Sequence, residues 1–161
     1  MYLFLAWLQN SALGHAMRET GVWTYGVVNL IHILAIASLF GSVLILDLRL
    51  LGAWRKVPLG AISSAAAPIA KTAFGVAALS GVCLLATKAT EYEGNPFLLI
   101  KFPAIALALA NVAILNRSAA WREHRMRELS PREKSKLAVF GGISLACWVA
   151  AISAGRLIAY W

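Results

Sequence analysis

Residues 20–46 hold no charged side chain between Glu19 and Asp47. A helix crosses the hydrocarbon of a bilayer with about 20 apolar residues. In water such a helix needs a large partner surface, which a chain of 161 residues does not offer. Three further runs of the same kind follow, and the spans are placed at about 22–48, 65–88, 96–116 and 135–158. Composition agrees: 60% of residues are hydrophobic and 14% charged, against about 45–50% and about 25% in soluble domains. The reading is an all-α integral membrane four-helix bundle, one membrane domain over residues 1–161.

Helix punctuation sets the edges. Asn95-Pro96 puts a capping residue before a proline at the first helical position. Ser130-Pro131-Arg132-Glu133 has the form of a capping box and starts the fourth helix before it enters lipid. Pro68 is taken as the start of the second span, and Pro103 as a kink within the third. Within the segment 1–19, residues 2–16 are apolar but short, with Gln9, Asn10 and His15 interrupting. Leu3, Phe4 and Trp7 fall on one side, which predicts an N-terminal interfacial amphipathic helix broken near Asn10-Ser11, with a fifth span as the alternative. The segment lacks the basic start of a cleavable signal peptide and is read as retained.

The net charge is +8. Eleven of the fifteen Lys and Arg residues fall on the side of the loops after spans one and three: Arg49, Arg55, Lys56, Lys71, Arg117, Arg122, Arg125, Arg127, Arg132, Lys134 and Lys136. Basic loops face the cytoplasm. The stretch 117–136, with its basic loop at 117–134, is therefore expected inside and both termini outside, in a bacterial inner (plasma) membrane. The charge is read as orientation and as contact with anionic lipid, not as nucleic-acid binding.

Ionisable groups at membrane depth are costly and point to a site or a packing contact. His32 lies nine residues past Trp23, about 13 Å along a helix. Tyr25, Asn29 and His32 share one helical face and are expected to point into the bundle. A neutral imidazole there suits heme iron or another metal, a quinone, a proton relay, or a hydrogen bond to a neighbouring helix. The chain has only three histidines, and His15 and His124 lie at other depths, so a heme with two histidine ligands is hard to build within one chain; a heme here needs a single axial ligand, a methionine or a second protomer. Lys101 and Arg156 sit one to two turns inside the outer edge of their spans. They suit an anionic group such as a heme propionate, a lipid phosphate or a carboxylate, or else snorkel to the headgroups. Asp47 and Lys71 are expected to form an ion pair at the inner side. Cys83 and Cys147 read as small buried hydrophobes, and His15-x-Met17 is a weak copper motif. Small residues four apart, such as Ala77/Gly81 and Ala151/Gly155, permit close helix approach.

Several stretches resemble a bacterial family of small four-span membrane proteins that carry a domain of unknown function. They are Leu8–Arg18 followed by Trp23, the run Asn29–Leu51 with IHILAIASLFGSVLILDLRLLG, NPFLLIKF at 95–102, and AGRLIAY at 154–160. The resemblance covers nearly the whole chain and implies topology but no activity. It also implies a histidine at the inner end of the third span, where this sequence has Asn116. The first span is faintly similar to copper-resistance membrane proteins and transmembrane b-type cytochromes.

No Ser-His-Asp set, paired carboxylates, metal motif or phosphate loop is present in the sequence. Three functions compete. The first is a non-catalytic membrane subunit or partner of a larger, possibly redox, complex, meeting other membrane subunits or further copies of itself. The second is a heme b- or quinone-binding electron-transfer bundle centred on His32. The third is a small metal or anion permease using His32, Lys101 and Arg156.

Overall fold

The computed structural model describes residues 2–160 and is all α-helical, without strands among them. Two short helices, α1 (Tyr2–Gln9) and α2 (Ala12–Glu19), precede the first long one, α3 (Gly21–Leu50). The chain then forms α4 (Leu59–Thr87), a 3-10 turn at Ala89–Tyr92, α5 (Pro96–Arg117), the short α6 (Ala119–Glu123), α7 (Pro131–Leu157) and a closing 3-10 turn at Ile158–Tyr160.

The four long helices have apolar windows of mean hydropathy 1.8–2.2, of which only 17–33% is buried in protein. Surfaces so apolar and so exposed require lipid as their solvent. Val22, Trp23 and Leu79 are among the exposed apolar residues, at 86%, 88% and 73%.

The second helix begins at Leu59, not at Pro68 as the sequence suggested. Pro58, immediately before Leu59, is the proline at that boundary. Pro68 lies in the third turn, where a membrane helix tolerates it because neighbouring groups satisfy the freed carbonyl. Pro103 lies inside α5. The capping box at α7 is complete: Ser130 Oγ accepts from the Glu133 amide, and Glu133 accepts from the Ser130 amide at 2.8 Å.

The helices pack as two compact units, each holding part of α3 and part of α4. The first is Met1–Leu39 with Lys71–Asn95. Its core joins Leu5 and Leu8 of α1 to Ala86 and Ala89, with Leu85 alongside. Gln9 Oε1 accepts from both the amide and the hydroxyl of Thr90, at 2.8 and 2.9 Å. Arg18 reaches back to the Gln9 carbonyl at 2.8 Å and the Thr87 carbonyl at 3.4 Å, satisfying two helix-end acceptors. The break between α1 and α2 is capped by Ser11, whose Oγ accepts from the Gly14 amide at 3.2 Å. A Cβ at Gly14 would collide with the Gln9 carbonyl and stand 3.0 Å from the Ala86 carbonyl, so the N-terminal pair docks only with glycine there. Leu3, Phe4 and Trp7 stay exposed.

The second unit is Phe40–Ala70 with Pro96–Trp161. Its core gathers Leu50, Leu115, Ala120, Leu129 and Leu137, with Leu59, Trp121 and Phe140 against them. α3 approaches α7 closely at Gly141, where a Cβ would stand 3.0 Å from both the Asp47 carbonyl and Leu50 Cβ. Asn111 Nδ2 donates to the Phe140 carbonyl at 2.9 Å, tying α5 to α7.

Candidate functional site

In the first unit, His32 is turned toward α4. Its Nδ1 lies 2.9 Å from Ser80 Oγ. Ser80 gives its own proton to the Val76 carbonyl at 2.6 Å. Which group donates in the His32–Ser80 contact follows the tautomer of the imidazole. The ring lies against Gly81: a Cβ there would stand 3.0 Å from Cε1. The Ala77/Gly81 pair of small residues thus gives the imidazole its room on α4.

Of the predicted stripe, His32 and Asn29 share the same degree of burial and Tyr25 is more open. Asn29 is half-buried. Tyr25 is 41% exposed. Tyr25 acts on Tyr92, outside the spans, whose phenol is held above its ordinary range first by burial and then by Tyr25 and Glu91, with Lys88 opposing.

Lys101 and Arg156 both belong to the second unit. The Lys101 side chain runs over Gly155, with Nζ 3.4 Å from the place of a Cβ. Lys101 is half-buried and makes no ion pair among the described residues. Arg156 is exposed, donates to Tyr160 Oη and lies over the Tyr160 ring at 4.9 Å. The two cations therefore differ: one is half-buried over Gly155, the other is held on an aromatic ring. His32 lies in the first unit, so the sequence-derived residues divide between two settings.

Asp47 is 3% exposed. Ser144 of α7 stands beside its carboxyl, and Oδ2 has no hydrogen-bond partner. The sequence reading gave this carboxylate to Lys71, but Lys71 is solvent- or lipid-exposed and what meets Asp47 is a hydroxyl. Ion pairs among the described residues lie at helix ends and loops, Lys88–Glu91 and Arg127 with Glu123 and Glu133, and His15 Nδ1 stands 4.0 Å from Glu19.

Two contacts escaped the sequence reading. Ser63, fully buried, meets His124 Nε2 at 2.7 Å. His124 Nδ1 bonds to the Trp121 carbonyl, and its ring stacks on Trp121 with centroids 4.5 Å apart. His124 thus anchors the basic loop to the start of α4. The second is the clasp of Gln9 and Arg18 on the end of α4. In the sequence Gln9 shows only as an interruption of an apolar segment.

Among the described residues no three His, Cys, Asp or Glu side chains come together as a metal cluster. Four long apolar helices make this a multi-pass helical membrane protein. The chain belongs to a family of unknown function, DUF6644, whose profile matches residues 4–161. No curated protein and no solved structure matches it.

Proposed function

We propose that this chain is a non-catalytic membrane subunit, a structural partner within a larger assembly of membrane proteins. The observation that supports it most is the employment of polar side chains in the helices. His32 serves Ser80, Asn111 serves the Phe140 carbonyl and Ser63 serves His124. Such bonds hold membrane helices together. Groups spent in this way do packing work, not chemistry. The apolar faces left exposed on all four long helices are available to lipid and to other subunits. The membrane is a bacterial inner membrane, with the basic loop 117–136 in the cytoplasm against anionic lipid and both termini outside. The exposed Leu3, Phe4 and Trp7 of α1 enter the outer interface. The testing experiment is native mass spectrometry from mild detergent. The expected result is the chain in complex with other membrane polypeptides or with itself. A lone monomer holding a porphyrin or quinone mass would overturn it.

A second reading, a heme- or quinone-binding bundle at His32, has one observation in its favour. A ligating histidine is commonly oriented by a hydrogen bond at its other nitrogen, and Ser80 supplies one at Nδ1. The third reading, a metal or anion permease, rests on the sheltered ammonium of Lys101 over Gly155.

A further inference from the structure

Asp47 is the only aspartate in the sequence, and it is all but fully buried near the end of a membrane helix. Ionised carboxylates in such surroundings require a cation or several donors to offset lost hydration. From α7, Gly141 and Ser144 meet Asp47, and neither ionises. Among the described residues no basic side chain forms an ion pair with Asp47. Arg49 Nε donates to the Val57 carbonyl at 2.9 Å and Arg55 Nε to the Gly52 carbonyl at 3.3 Å. Lys71, Lys134 and Lys136 are exposed, and His124 is held by Ser63 and Trp121. The carboxyl is thus buried beside the Ser144 hydroxyl, with Oδ2 without a hydrogen-bond partner. An ionised carboxylate has no donor of its own, whereas the acid form of the group carries one.

We infer that Asp47, with Ser144 beside it, is a proton-binding site: the side chain carries a proton as a neutral carboxylic acid and exchanges it reversibly. Its ligand is the proton itself. Loss of that proton would place a bare charge at the close approach of α3 and α7 over Gly141. Neither heme nor a partner chain enters this inference, so its outcome is independent of the subunit reading.

Because no second aspartate exists, isotope labelling reports on Asp47 without a variant. The full chain is made by cell-free synthesis with aspartate carrying carbon-13 at the side-chain carboxyl, and placed in lipid bilayers. Carbon-13 NMR and the carbonyl infrared band are followed while pH is raised and returned. The expected result is a carboxylic-acid signal at neutral pH that converts to carboxylate on alkalinisation and recovers on return. In Ser144→Ala, which keeps the carboxyl, the midpoint should be displaced. A carboxylate signal already present at neutral pH would overturn the inference. So would an acid signal that never converts while the helices persist, and an unmoved midpoint in S144A would remove Ser144 from the site.

Discussion

His32 and Ser80 stand 48 residues apart in sequence and meet with Nδ1 2.9 Å from Oγ. Around that contact Gly81 leaves the imidazole its space. Interhelical hydrogen bonds in membranes average about 0.6 kcal/mol, with a maximum near 1.7. His32→Ala and Ser80→Ala should each cost about that much in detergent unfolding. The double variant should cost less than their sum, because the two share one bond. Strict additivity would show that they do not interact. Gly81→Val should cost more than either, since its branches enter the ring position.

The N-terminal pair of helices is held by the clasp at Gln9. Gln9→Ala removes both Thr90 bonds. A net hydrogen bond is worth about 0.5–1.5 kcal/mol, so the segment should open several-fold more often. Hydrogen exchange in residues 2–19 should rise, while α5 and α7 keep their protection. Uniform acceleration through the chain would contradict this.

The approach of α3 to α7 depends on Gly141. Gly141→Val would drive a side chain against the Asp47 carbonyl and Leu50 Cβ, both 3.0 Å from the Cβ position. Overpacking of this kind typically costs about 1–3 kcal/mol. Thermal unfolding in detergent should report a loss in that range, and Gly142→Ala, which meets only Leu51 Cδ2 at 3.9 Å, should be near neutral. Equal losses at the two glycines would show that α3 does not press on Gly141.

The proposed topology is tested on a background with Cys83 and Cys147 replaced by alanine. Single cysteines at Gly94 and Ser118 are exposed to an impermeant thiol reagent in intact cells. The orientation predicts labelling at position 94 and none at 118. The reverse pattern would invert it.

The helices were legible because each contrast in the sequence has a single physical meaning. The uncharged run at 20–46 admits little but a spanning helix, and Ser130 with Glu133 can satisfy amide donors only at a helix start. Pro68 misled because proline in a membrane helix marks an interior turn as readily as an end, and Pro58 carries the boundary. The partners of polar residues were not legible. Which hydroxyl meets His32 depends on the rotation of α4, and that is set by packing over many residues. The same holds for Asp47: charge complementarity suggested Lys71, while the rotation of α7 supplies Ser144. Gln9 and Arg18 gave no signal, because their partners are backbone carbonyls and the amide and hydroxyl of Thr90, which only the fold brings to them.

The central claim is that His32 does packing work in a subunit without chemistry of its own. Its most direct test is the visible absorption spectrum of the protein purified in mild detergent, oxidised and then reduced with dithionite, beside His32→Ala. The account predicts no Soret band and no reduced α and β bands in either sample, with both remaining folded. A Soret band in the wild type that is lost in H32A would contradict it and give the site to heme.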